Sequence, residues 1–194
     1  MDISRALAVD LAALSDALGD SDVDLETLLQ ALAADLKDAI ASYIGMTLTI
    51  IVNGHEFSFT MFLEANAEAV ATSLKIPLAA LSSAEEGTSL VLYATMPGAF
   101  VDLAADLSYV LGLGPDLLVP DQRTAHHATT LDQAGVAGLA EYSLVNQAVG
   151  VLIARGHTAE SARDELRRLA DLDGGHLRDA ASTVLMSVKR GPVD

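Results

Sequence analysis

The chain has no cysteine in its 194 residues. That absence excludes a disulfide framework, a thiolate nucleophile, thiol-based redox sensing and any zinc site built on cysteine. Long apolar runs are missing as well. Although 51% of the residues are hydrophobic, Asp, Glu, Ser or Thr interrupts each stretch before it reaches the roughly 18 to 20 apolar residues of a membrane span. Asp2, Asp10 and Asp16 likewise break up the basic region and apolar core that a secretory signal needs. A cytoplasmic protein with no membrane partner is expected. Catalytic signatures are also absent, since no P-loop, GxSxG, HExxH or GxGxxG occurs. His126 and His127 are adjacent and lack the helical spacing of a metal pair, His55 follows a turn, and Gly112-Leu113-Gly114 is accounted for as a helix end. These observations predict no enzymatic activity, no metal and no cofactor.

Basic side chains are scarce over most of the length. Residues 1–120 hold only Arg5, Lys37 and Lys75 against 17 acidic groups, which contributes −14 to the formal charge of −16. Within 151–190, seven basic groups face six acidic ones, a net of +1. Phosphate attraction dominates nucleic-acid affinity, so only the second region leaves room for such a partner. An acidic soluble domain followed by a near-neutral helical tail accounts for the same distribution.

Hydrophobic periodicity divides the chain in the same way. Ile3, Leu7, Leu11, Leu14 and Leu18 form one helical stripe, and a second helix behind the N-cap Asp24 carries Leu25, Leu28, Leu29, Leu32, Leu36 and Ile40. From Tyr43 the period shortens to two. Leu48, Ile50 and Val52 alternate with Thr47, Thr49 and Ile51, while Phe57, Phe59 and Met61 alternate with Glu56, Ser58 and Thr60. Asn53-Gly54 between these runs is the dipeptide of a type I′ turn and predicts a hairpin. Further strands fit 69–76 and 89–95, and a helix fits 98–112 with Phe100, Leu103, Leu107, Val110 and Leu111 inward. The expected fold class is α+β, with helices and an antiparallel sheet of about four strands in residues 1–120.

Gly114-Pro115, Pro120 and the aperiodic DQRTAHHATT mark a linker at 121–134. Residues 135–190 read as an all-α three-helix bundle, broken at Gly156 and at Gly174-Gly175, with Thr158 capping the second helix. In that second helix Ala162, Leu166, Leu169 and Ala170 share one arc, Arg163 and Arg167 border it, and Arg168 lies farther round beside Asp164. Guanidinium groups so placed can bind phosphates or stack on exposed bases. A solvated face with intrahelical pairs, Glu160 with Arg163 and Asp164 with Arg167 and Arg168, fits the same spacing.

Residues 138–188, which include SLVNQAVGVLIARGHTAESARDELRRLADLDGGHLRDAASTVL, resemble the ANTAR family of transcription antitermination regulators. Ala148, Gly150, Leu152, Ile153, Thr158, Ala162, Leu166, Ala170, Leu177 and Ala181 occupy the positions of the family pattern. The chain departs from it at Val149, where the family has lysine, and at Tyr142, where an arginine is often found. The resemblance implies binding to tandem hairpins with hexanucleotide loops in nascent messenger RNA, which favours an antiterminator over a terminator. Unpaired loop bases can be stacked and read at their edges, unlike those of a duplex. Arg155, His157, Arg163, Arg167, Arg168, His176 and Arg178 are the implied RNA-binding groups, with Asn146 and Gln147 as candidate base-edge partners. Two hairpins call for two modules, so a homodimer is expected. Its candidate surfaces are the N-terminal stripe and residues 131–145.

The domain in front, residues 1–120, lacks repeated βα units and looks like a small GAF domain, which implies a sensory or dimerisation role and an unidentified small-molecule effector. The leading expectation is an RNA-binding antitermination regulator. A protein-interaction module that keeps the ANTAR fold without RNA binding, and a DNA-binding three-helix regulator, are the alternatives.

Overall fold

In the computed structural model the described residues are 7, 9–14, 24–52, 54–63, 70–81, 84–114, 117–118, 120, 138–172 and 176–189. The chain divides into two compact units, Met1–Ala137 and Gly138–Asp194. The expected linker at 121–134, with His126 and His127, lies outside the described residues, as do Ile3, Leu18 and the Gly174-Gly175 break.

The first unit is mixed α+β. Residues 9–14 are helical and bury Leu11 and Leu14. Helix α1 (Leu25–Ala39) starts where Asp24 accepts the Thr27 backbone N–H at 3.2 Å. Its Leu29, Leu32, Ala33 and Leu36 are buried, and the helix packs against strand β1 (Tyr43–Val52). Strand β2 (His55–Phe62) pairs antiparallel with β1 from Val52↔His55 to Gly45↔Phe62, which is the hairpin expected from sequence. Gly54 has φ 76°, a conformation that a Cβ disfavours.

Strands β3 (Thr72–Pro77) and β4 (Ser89–Ala94) complete an antiparallel sheet of order β2-β1-β4-β3. The third strand thus begins later than the 69–76 expected from sequence. The register puts Phe59, Leu48, Leu90 and Ile76 in one row and Met61, Met46, Leu92 and Leu74 in the next. Alternation in the sequence becomes a core face in this way. The opposite face carries hydroxyls that satisfy one another: Thr47 with Thr60 at 2.9 Å, and Tyr93 donating to Thr47 at 3.1 Å. Phe62 stacks on Tyr93 at the end of that face, ring centres 5.5 Å apart.

Helix α2 (Val101–Leu111) buries Phe100, Leu103 and Leu107 and ends at Gly112, φ 64°. Val110, expected inward, is exposed. At about 100° per residue it lies about 60° from Leu107 and about 80° from Phe100, at the edge of the buried stripe and in the last turn of the helix.

The second unit holds α3 (Leu139–Ala154), α4 (Ala159–Leu172) and α5 (Leu177–Lys189). Each helix packs against the other two. The buried positions are Val145, Ala148, Val149 and Leu152 on α3, Ala162, Leu166 and Ala170 on α4, and Ala180, Ala181 and Val184 on α5. The small residues at these contacts allow helices to approach closely. Gly138, φ 94°, precedes α3, and Gly156, φ 100°, follows it. Beyond Gly156 the His157 N–H returns to the Leu152 carbonyl at 3.2 Å, closing the helix end. Thr158 then caps α4 reciprocally. Its hydroxyl accepts the Ser161 N–H at 3.1 Å while the Ser161 hydroxyl accepts the Thr158 N–H at 2.9 Å. Val188, expected on the apolar side of the last helix, is exposed near its final turn. No helix among the described residues is long and apolar enough to cross a membrane.

Candidate nucleic-acid interface

The second unit carries all nine residues expected to contact RNA, and their local partners sort them into two groups. Arg167 donates to Asp164 at 2.9 Å, one turn earlier on α4. Arg168 makes a two-pronged contact with Glu165, at 2.8 and 2.7 Å. The pair assigned from sequence to Asp164 and Arg168 is therefore a pair with Glu165. In a helix both carboxylates lie within reach of residue 168, and the guanidinium fork engages both oxygens of the nearer acid. Glu165 is held below the usual carboxylate range chiefly by this hydrogen bond, with the charges of Arg168 and His157 adding to it. The Arg168 guanidinium is stabilised in turn by Glu165. Two arginines of the expected strip thus already have anionic partners.

The other group has no acidic partner among the described residues. Arg155 caps the end of α3 and donates to the neutral Ser187 hydroxyl of α5 at 2.8 Å. Arg163 is exposed, and the expected pair with Glu160 is not formed among the described residues. Arg178 is exposed on the first turn of α5, where its carbonyl accepts the Ser182 hydroxyl at 2.9 Å. Three cationic groups are left without an acidic partner among the described residues. Arg155, His157 and Arg163 belong to the corner where α3 turns into α4. Arg178 and His176, whose carbonyl begins α5 by accepting the Asp179 and Ala180 N–H groups at 3.1 and 3.3 Å, belong to the start of the last helix.

No family model, curated protein or solved structure matches the chain. The site is thus read from its own geometry. Asn146 and Gln147 are both exposed on α3, and Gln147 donates to Ser143 at 3.1 Å. Val149, where the resemblance places a lysine, is 7% exposed and faces the other helices. An ammonium at that position would have to snorkel out of the bundle or stay desolvated, so valine suits this packing.

Gly150 and Ile153 occupy positions of the family pattern but were not among the expected RNA contacts. Both are exposed on α3, and a Cβ built on Gly150 meets nothing within 4 Å. A helical wheel centred on Val145 and Leu152 sets Gly150 on the outer side and Ile153 at its border, which was the available signal. No cluster of three metal-ligating side chains occurs among the described residues.

Proposed function

We propose that the chain is an RNA-binding transcription antitermination regulator whose second unit, an ANTAR-like module, engages hairpin loops of nascent messenger RNA. The carrying observation is that Arg155, Arg163 and Arg178 have no acidic partner among the described residues, on a small helical unit that also exposes Asn146 and Gln147. Cations supply phosphate attraction, and amides match the edges of unpaired bases. The first unit, with its helices and four-stranded antiparallel sheet, is read as a GAF-like sensory or dimerisation domain open to a small-molecule effector. A homodimer would present two modules to two hairpins and raise their effective concentration without new contacts. Access to nascent transcripts places the protein in the cytoplasm.

The experiment is a salt titration of the full chain against tandem hairpin RNA, with duplex DNA of equal length beside it and mass measured in parallel. Affinity should fall log-linearly with salt, and Arg163→Ala should flatten the slope by about one. Arg167→Ala, which frees Asp164, should flatten it less. No RNA binding in dilute buffer, or a preference for duplex, defeats the reading. A specific observation favours a second one, a protein-interaction module: Asp164 and Glu165 already pair with Arg167 and Arg168. RNA-independent dimerisation without any salt-dependent nucleic-acid binding would establish that alternative.

A further inference from the structure

The exposed side of α3 between Glu141 and Arg155 stands out in so acidic a chain because residues 142–154 carry no charged side chain. Asn146, Gln147, Gly150, Ile153 and Ala154 are all exposed there, within an arc of about 120° at the helical pitch. Ile153 is 44% exposed, an apolar group with no cover. Gly150 lacks a local reason to be glycine: it lies inside the helix, its φ is not left-handed, and a Cβ would meet open space. Glycine in a helix interior is disfavoured relative to alanine, so the fold alone would prefer alanine at this position.

We infer that this face is the base-reading surface of the RNA site, on which an unpaired loop base lies flat against α3 at Gly150 while Asn146 and Gln147 meet base edges. The inference rests on the RNA-binding reading above. A flat apolar area bordered by amides suits a nucleobase, which has an apolar face and a polar rim. Charge complementarity selects this occupant. The face ends at the cationic Arg155, and the chain then turns into the helix that bears the acid-free Arg163. A phosphate on the Arg155 side of a docked base therefore finds cations where the uncharged stretch stops, while Glu141 closes the other end. The absence of a Cβ at Gly150 lets the ring approach the helix backbone, and a methyl there lifts it away. Phosphate anchoring and base reading thus fall to different residues.

The test pairs Gly150→Ala with an RNA whose hairpin loops keep their phosphates but lack their bases. Wild-type full chain should bind intact tandem hairpins about tenfold or more tightly than the baseless RNA. Gly150→Ala should melt at a higher temperature than wild type, bind both RNAs equally, and retain the wild-type salt slope. Arg163→Ala should do the converse, flattening the slope while still discriminating between the two RNAs. If Gly150→Ala discriminates as well as wild type, the inference falls although RNA binding stands. A change in mass upon Gly150→Ala would make the face a seam between two copies and would also overturn it. Failure of the wild type to bind either RNA removes the RNA-binding reading itself.

Discussion

The two units solve the problem of polar groups in opposite ways. In the first, polar side chains are satisfied across long sequence separations: Thr47 meets Thr60, Tyr93 reaches Thr47, and the Gly54 N–H donates to Glu85 at 3.2 Å. In the second, most partners lie within one helical turn, as in Thr158 with Ser161, Asp164 with Arg167 and Glu165 with Arg168. Among the described residues Arg155 with Ser187 is the long-range exception. Strand pairing closes long loops before any contact forms, whereas helix pairs form with the helix itself. The first unit should therefore respond to substitutions as one cooperative sheet, and the second should respond locally.

The largest expected break in this comparison is Phe59→Ala. The side chain is 1% exposed, in the central row of the sheet, and its loss should destabilise the first unit by about 3–5 kcal/mol. Denaturant unfolding followed by hydrogen exchange should show weakened protection throughout all four strands, with α3–α5 unaffected. Gly45→Ala comes next. A Cβ there would lie 2.4 Å from the Met61 carbonyl oxygen and 2.9 Å from the Phe62 Cα. Backbone cannot yield as a side-chain tip does, so a loss on the order of 1–3 kcal/mol is expected, with disturbed β1–β2 amide signals.

Tyr43→Phe sharpens the contrast from the other direction. The Tyr43 side chain is wholly buried, its hydroxyl has no hydrogen-bond partner among the described residues, and burial pushes its ionisation far up. An unsatisfied buried hydroxyl is costly, so removing it should stabilise the first unit by about 1 kcal/mol. A lower denaturation midpoint would show that the hydroxyl has a partner in solution. In the second unit Thr158→Ala should remove about 1 kcal/mol by undoing the reciprocal cap, and amide exchange should accelerate mainly in the first turn of α4.

The smallest effects concern acid, and they have opposite signs. Burial, aided by the neighbouring Asp35, raises the Asp10 carboxyl. Its contribution is present below the unfolded pKa and is lost as pH rises through the folded one. Asp10→Asn should therefore raise the melting temperature slightly near pH 7. Glu165, lowered by Arg168, contributes above its unfolded pKa and loses that contribution as pH falls through the folded one. Glu165→Gln should lower stability slightly near pH 7 and leave it unchanged in strong acid, where both forms are neutral.

Much of this architecture is legible in the amino-acid order. Asp24, Gly54, Gly112, Gly156 and Thr158 act through backbone geometry within a few residues, and each does what its local chemistry predicts. The alternation of Leu48 and Ile50 with Thr47 and Thr49 likewise specifies which side of the sheet is buried. Val110 was not legible, because an apolar residue at the edge of a helical stripe is inward or outward according to what lies beside it. At the candidate site the residue types could be named. Their pairing could not, since spacing allows Asp164 and Glu165 to compete for the same arginines.

What the sequence determined by itself was the set of elements and the division between an acidic region and a balanced one, because capping, turn formation and periodicity depend on neighbours in the chain. The tertiary structure alone decided three matters. It left Val110 uncovered at the edge of the α2 stripe. It brought Ser187 to Arg155 across 32 residues. It also enclosed the Tyr43 hydroxyl without a partner among the described residues. Each depends on which surfaces of separate elements meet, and that is settled by packing between elements distant in the chain.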